Sequence, residues 1–315
     1  MILVTGGAGF IGSSLVDSLL RNGEQVIAVD NMNDYYSPEF KRENIFWALT
    51  QKNYKFYRVN IENSDDLAKV FDENKIDTIV HLAARAGVRP SIENPLDYVK
   101  TNVLGTTNIL ELMKKHKVKN LIFASSSSVY GNCSASMFSE DLKISEPISP
   151  YAATKSACEQ LCYTYSHLYD MKIICLRFFT VFGPRQRPDL AISKFTSLIM
   201  NNESIPMFGD GTTCRDYTYI DDIVAGIKAA IKYKETNYEI INLGGGAPTT
   251  LYDMIHTIED VLGKKAKIQQ YPMQPGDVNK TISDCRKAEK LLNYHPKTTF
   301  REGIKKFIDW RISHD

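Results

Sequence analysis

The chain has 315 residues, 43% of them hydrophobic and 24% charged, and its formal net charge is +1. That length supports one large or two moderate domains with a real core. The even charge balance excludes the basic field of a nucleic-acid binder and favours a small-molecule partner. No run approaches a membrane span, and Met1-Ile2-Leu3-Val4 enters a glycine turn without the basic start of a signal peptide, so a cytosolic chain is expected. Cys133, Cys158, Cys162, Cys175, Cys214 and Cys285 form no C-x-x-C pair and are expected to be reduced, mostly packed thiols holding no metal.

Met1 to Thr5 reads as a short apolar strand, followed by Gly6-Gly7-Ala8-Gly9-Phe10-Ile11-Gly12 and an amphipathic helix capped near Gly23. Glycines at 6, 9 and 12, or equally at 7, 9 and 12, let a backbone approach a pyrophosphate at a helix N-terminus. A second strand, Gln25 to Val29, ends in Asp30, 18 residues beyond Gly12. An acid at that place accepts hydrogen bonds from an adenosine ribose and repels a 2′-phosphate, which argues for NAD over NADP. Asn31 to Gln51 is a polar and aromatic insertion, too long for a plain loop and suited to lie over the cofactor or against a partner subunit.

Strands follow at Tyr54 to Asn60 and Thr78 to Leu82, with a helix from Ser64 to Asn74 between them. The end of the first should face the adenine, and Ala83-Ala84 leaves room for a cofactor beyond the second. His81 reads as a satisfied core residue, and Asn102, on a helix from Asp97 to Lys115, is expected to point inward. A strand from Leu121 to Ala124 runs into Ser125-Ser126-Ser127-Ser128-Val129-Tyr130-Gly131, where hydroxyls at a strand's end suit a substrate oxygen.

After Ser149-Pro150 the run from Tyr151 to Tyr169 reads as a helix. Tyr151 and Lys155 lie one turn apart on one face. A neighbouring ammonium is expected to lower the phenol's pKa and make Tyr151 a general base. A sixth strand, Lys172 to Leu176, completes a doubly wound parallel α/β sheet. Helices are expected at 192–201, 220–232, 251–262, 285–292 and 301–311, and a strand at 239–243. Residues 1–178, with a return segment near 214–247, are expected to form a Rossmann domain; residues 179–213 and 248–315 form a smaller α+β substrate domain. Arg185, Arg187 and Arg215 fall in loops of the second part and suggest a phosphate-bearing or acidic ligand.

Thr5-Gly6-Gly7-Ala8-Gly9-Phe10-Ile11-Gly12, His81-Leu82-Ala83-Ala84, the serines ending in Val129-Tyr130-Gly131, Tyr151-x-x-x-Lys155 and Arg215-Asp216-Tyr217 together resemble the extended short-chain dehydrogenase/reductases. Within them the chain resembles the nucleotide-sugar 4-epimerases over essentially its whole length. Residues 30–36, Arg177 to Pro184, Arg187-Pro188-Asp189 and Gln274-Pro275-Gly276-Asp277 are similar to the UDP-glucuronate 4-epimerases. Two residues depart from that pattern: Asn60 stands for an Asp, and Phe182 for a common Tyr.

The resemblance implies Ser126, Tyr151 and Lys155 as the catalytic set. It implies NAD held by Gly6, Gly9, Phe10, Ile11, Gly12, Asp30, Asn31, Asn33, Asn60, Ile61, Leu82, Ala83, Ala84 and Asn102, together with Tyr151 and Lys155. It implies a UDP-sugar contacted by Ser127, Ser128, Thr180, Arg187, Arg215 and Asp277, and a homodimer. The reaction expected is inversion at C4 through a transient 4-keto sugar. An all-serine segment before Val129 supplies no carboxylate for dehydration or decarboxylation, which favours epimerisation. A neutral UDP-hexose or N-acetylhexosamine epimerase, and a non-catalytic NAD-binding sensor, are the alternatives.

Overall fold

The computed structural model describes residues 1–273 and 280–314, so the expected turn at 274–277, with Asp277, lies outside the described residues. The first half alternates β1 (Ile2–Thr5), α1 (Phe10–Arg21), β2 (Val26–Asp30), α2 (Pro38–Leu49), β3 (Tyr54–Arg58), α3 (Ser64–Glu73) and β4 (Thr78–His81). Short helices α4 (Val88–Glu93) and α5 (Pro95–Tyr98) lead through a π-turn at Val99–Leu104 into α6 (Gly105–His116). Then come β5 (Asn120–Ser126), α7 (Pro150–Tyr169), β6 (Lys172–Phe178), β7 (Thr180–Phe182), α8 (Ala191–Met200), β8 (Ser204–Phe208) and β9 (Cys214–Tyr219). The chain closes with α9 (Ile220–Lys232), β10 (Tyr238–Leu243), β11 (Pro248–Thr250), α10 (Leu251–Leu262), β12 (Lys267–Tyr271), β13 (Lys280–Thr281), α11 (Arg286–Leu292) and α12 (Phe300–His314).

Seven strands form one sheet in the order β10-β6-β5-β4-β1-β2-β3, every pairing parallel. Alternate residues feed two cores, as the two-residue period of a strand requires. Val4, Ala28, Val80, Ile122 and Leu176 face one layer of helices, while Leu3, Ile27, Ile79, Leu121 and Ile173 face the other. The strand order reverses between β1 and β4, which opens a crevice at their carboxyl ends.

Three differences from the sequence reading bear on the site. The insertion at 31–51 contains α2, started by Pro38 and by the Ser37 hydroxyl, which accepts from the Glu39 N–H. Its Asn44 donates to the Ala8 carbonyl at 3.0 Å and so ties α2 to the glycine turn. The helix expected at 97–115 is interrupted by the π-turn, which aims Asn102 inward. The Asn102 carbonyl there takes the Thr106 hydroxyl at 2.6 Å and the Cys158 thiol at 3.2 Å. β5 runs on through Ser125 and Ser126, because the buried Ser125 hydroxyl has a partner in Glu159 at 2.5 Å.

A smaller sheet gathers around β9, with β11 antiparallel and β13 and β7 parallel to it. Phe182 is fully buried beside it, 5.7 Å from the Tyr219 ring and 5.2 Å from Phe300, and a Cβ on Gly303 would strike it at 2.5 Å. That enclosure accounts for a ring without a hydroxyl at this position. No helix among the described residues is long and apolar enough to cross a membrane. No three His, Cys, Asp or Glu side chains among them come together as a metal site, and the six cysteines are free thiols.

Candidate active site

The carboxyl ends of β1, β2, β4, β5 and β6 open on one cleft of about 500 Å³. At its floor the glycine turn admits no larger residue. A Cβ on Gly12 would lie 2.0 Å from the Gly6 carbonyl oxygen, and one on Gly6, at φ +69°, would meet the Ala83 backbone at 2.8 Å. Gly7 serves packing instead, since a Cβ there would meet Ala28 Cβ at 2.5 Å. Gly6, Gly9 and Gly12 line the cleft with Phe10 and Ile11, so α1 presents its N-terminus to it. This is a cradle of the kind that receives a diphosphate.

Asp30 closes one end of the cleft. Its carboxylate accepts from the Ala8 N–H at 3.2 Å and the Met32 N–H at 2.9 Å, which fixes its orientation. Lys41, from α2, approaches Asp30 at 3.6 Å, donates to Asn33 at 2.9 Å, and has its pKa lowered chiefly by burial. The sequence reading missed Lys41, because nothing in the linear pattern brings α2 back over β2. Asn31, Asn33, Asn60, Ile61, Leu82, Ala83 and Ala84 also line this cleft. Asn60 accepts from the Glu62 N–H at 3.2 Å, an interaction within its own turn.

At the other end Tyr151 and Lys155 descend one face of α7. The Ser149 hydroxyl caps this helix, accepting from the Ala152 N–H at 3.1 Å, and Pro150 opens it. Tyr151 lies close to Ser126, whose own hydroxyl accepts from the Ser128 N–H at 3.2 Å and so starts the turn that presents Ser127 and Ser128. The expected depression of Tyr151 by Lys155 is not what this geometry gives. Burial raises the phenol's pKa, and Ser126 and Arg187 are the groups that oppose it. The Lys155 ammonium instead donates to the Ala124 carbonyl at 2.6 Å, and burial lowers its pKa to about 8. Thr180 and Arg187 line the same end; Arg187 holds Asp189 through two bonds of 3.0 and 2.8 Å and lies 5.3 Å from the Tyr35 ring.

Below this surface a buried ladder joins three elements. Glu159, one turn beyond Lys155, receives Ser125 from β5 and a two-bond grip from Arg177 of β6, at 2.9 and 2.8 Å. Arg177 lies 4.8 Å from the Tyr130 ring, and the Tyr130 hydroxyl donates to Asn242 of β10 at 2.7 Å. Glu159 and Asn242 were not singled out from the sequence, although the i+8 spacing from Tyr151 puts Glu159 on the catalytic face.

Two expected site residues stand elsewhere. Asn102 does not line the cleft, because its amide is spent on the Arg85 N–H and C=O, at 2.8 and 3.0 Å, and on Thr154 at 3.0 Å. It shapes the loop after β4. Arg215, on β9, turns to its neighbour's Cys214 carbonyl at 2.9 Å and does not line the cleft. Asp277 lies outside the described residues. His81 is buried between Thr5 at 2.6 Å and Thr106 at 3.1 Å, and burial lowers its pKa to about 3, so it is a neutral core residue.

Residues 3–307 match the family described as GDP-mannose 4,6 dehydratase. The chain belongs to that family, a branch of the extended short-chain dehydrogenase/reductases. A UDP-glucuronate 4-epimerase of Thermodesulfobacterium geofontis is 47% identical over 313 residues, 98% of this chain and 95% of that one. The crystal structure of a UDP-glucuronic acid 4-epimerase from Bacillus cereus, in complex with UDP-glucuronic acid and NAD, superposes with a TM-score of 0.93 at 37% identity, covering 100% of this chain and 99% of that one. A Thermotoga maritima UDP-glucose 4-epimerase with UDP-glucose gives a TM-score of 0.91 at 34% identity over 100% of this chain and 99% of that one. These family members act on different sugars, so the cleft's own residues bear the question of substrate.

Proposed function

We propose that the protein is an NAD-dependent UDP-sugar 4-epimerase that interconverts UDP-glucuronate and UDP-galacturonate. The observation that carries this reading is the charge of the cleft. Lys41, Arg85, Lys155 and Arg187 line it, whereas the one acid among its described lining residues is Asp30, at the adenosine end. A diphosphate and a sugar carboxylate suit such a lining, and among the described residues that line the sugar end none is an acid that could dehydrate or decarboxylate the intermediate.

The residues at the dinucleotide end fit NAD: the glycine cradle takes the diphosphate, and the fixed Asp30 carboxylate takes the ribose hydroxyls. When bound, NAD would supply the acceptor for the C4 hydride, the donor for its return, and a positive charge to the site. Tyr151 Oη takes the proton of the sugar 4-hydroxyl, drawn toward the phenolate by Arg187 and Ser126. Ser126 Oγ holds O4 as it becomes a carbonyl, a role worth about a hundred- to a thousand-fold in rate. Lys155 binds the nicotinamide ribose from its seat on Ala124. Rotation of the keto sugar presents its other face, and Tyr151 Oη returns the proton to O4. Ser127, Ser128 and Thr180 hold the carboxylate through hydroxyls, with Arg187 adding charge.

The same reading makes residues 1–178 with 214–247 the cofactor-binding part, and 179–213 with 248–315 the part that closes on the nucleotide sugar. It places the protein in the cytoplasm as a homodimer. Leu96, Val99 and Leu104, exposed apolar residues along the α5–α6 rod, together with Tyr163 of α7, support pairing through those helices. A panel of UDP-sugars, incubated without added NAD and read by NMR, tests the assignment. UDP-galacturonate should form from UDP-glucuronate, and equal or faster reaction of UDP-glucose would transfer the assignment to a neutral-hexose epimerase.

A further inference from the structure

Two clefts stand back to back across residues 184–190. Arg187 and Leu190 face the 500 Å³ cleft, while Pro184 to Pro188 face a second cleft of about 330 Å³ bounded by α1, α2 and α12. The segment is therefore a thin wall with open space on both sides. Several of its bonds are local: Gln186 N–H to the Gly183 carbonyl at 3.1 Å, Leu190 N–H to the Arg187 carbonyl at 3.2 Å, and the Arg187–Asp189 pair. One bond reaches far across the chain. Arg185 donates to the Asp17 carboxylate at 2.8 Å, spanning 168 residues to the middle of α1.

Both partners carry signs of constraint. Arg185 sits at φ +67°, a left-handed conformation unfavourable for a residue with a Cβ, so something outside the local turn must hold it. Asp17 is 3% exposed and lies on the helix whose first turn forms the dinucleotide cradle. Its Oδ1 has no hydrogen-bond partner among the described residues, so Arg185 compensates a carboxylate that burial otherwise penalises.

We propose that Asp17 and Arg185 form a latch that fixes the wall to α1 and so positions Arg187 against the carboxylate of the substrate. Asp17 touches neither sugar nor cofactor in this account; it is a positioning residue acting through Arg185 and the two-residue link to Arg187. Releasing the latch leaves Arg187 bonded to Asp189 but frees the wall between the clefts, and the guanidinium no longer arrives already oriented. The loss falls on binding of an anionic sugar. A neutral sugar, which draws little from Arg187, is spared. The inference rests on the UDP-glucuronate reading.

Asp17→Asn and Arg185→Gln, singly and together, test it through kcat and KM for UDP-glucuronate and the inhibition constant of UDP-glucose. Each single change should raise KM for UDP-glucuronate by about tenfold with a smaller fall in kcat, and move the UDP-glucose constant by less than about twofold. The double variant should be no worse than either single one, because both remove the same contact. Arg185→Lys should recover part of the loss. Equal weakening toward both sugars, additive losses or an unchanged KM would each overturn the latch. Should Asp17→Asn fail to fold, Arg185→Gln on the wall itself gives the same reading. A parent enzyme that does not prefer the acid overturns the substrate assignment and the latch together; a parent that prefers it, with variants that keep the preference, overturns the latch alone.

Discussion

At the scale of single residues, the site is arranged against the charges its chemistry uses. Burial raises Tyr151, which keeps the phenol neutral before ligands arrive, and lowers Lys155 to about 8, so its ammonium persists at neutral pH but is more easily lost than usual. Ser126 and Arg187 oppose that rise at Tyr151, and a bound cofactor's positive charge would favour the phenolate further. Tyr151→Phe should lower turnover by about a thousandfold or more while circular dichroism and nucleotide content stay those of the parent. Near-normal turnover by that variant would remove Tyr151 from its role. Lys155 carries a pH signature. Its native value lies below its ordinary 10.5, so between about 8 and 10.5 the unfolded chain holds a proton that the native chain lacks. Stability from this residue therefore rises with pH across that window, and the charged form weighs on the fold below it. Turnover should fall as pH climbs through about 8. Lys155→Met should abolish turnover yet unfold in urea at pH 7 with a free energy equal to the parent's or higher by about 1–3 kcal/mol. A markedly less stable variant contradicts this. Thr180→Ala should harm UDP-glucuronate more than UDP-glucose, since charge-assisted bonds are roughly twice as strong as neutral ones. It should also release UDP-pentose, which one-dimensional NMR of the products detects; equal harm to both sugars would make Thr180 a packing residue.

At the scale of elements, α7 is the organising helix. Tyr151, Lys155 and Glu159 share its inner face, and Glu159 locks it to β5 and β6 through Ser125 and Arg177. Removing one partner of such a pair leaves a buried charge, so Glu159→Ala should cost about 3–5 kcal/mol in chemical denaturation. A cost below about 1 kcal/mol would mean that the ladder is incidental to the fold. How far elements could be read from the chain followed their patterning. Ile220–Lys232 and Leu251–Leu262 matched residue for residue, because both carry an apolar stripe of helical period and α10 adds a Thr250–Asp253 capping box. β7 and β9 were not read, since Thr180–Phe182 and Cys214–Tyr219 lack a continuous apolar run, and their strand character comes from pairing with each other and, for β9, with β11 and β13. The π-turn at 99–104 leaves no mark in periodicity, and with it went the true task of Asn102.

At the scale of the whole molecule, the large sheet was legible because buried parallel strands read as continuous apolar runs separated by helices. The glycine turn, Asp30 and the serine run could be placed at one rim, since each ends or directly follows a strand. The second sheet could not be assembled in the same way. β7, β9, β11 and β13 come from four separated segments, and nothing local specifies their partners. The same holds for the contacts that cross between parts, such as Arg185 with Asp17 and Asn242 with Tyr130, which only tertiary structure brings together.

The central claim is that the hydrogen on C4 leaves and returns to the same carbon without reaching solvent, while Tyr151 carries only the hydroxyl proton. UDP-glucuronate deuterated at C4, incubated in ordinary water with the purified enzyme and no added NAD, tests this directly by NMR of the product. The account predicts UDP-galacturonate with deuterium retained at C4. Loss of the label to solvent, or inversion only when free NAD is supplied in excess to enzyme that already holds its nucleotide, would contradict it.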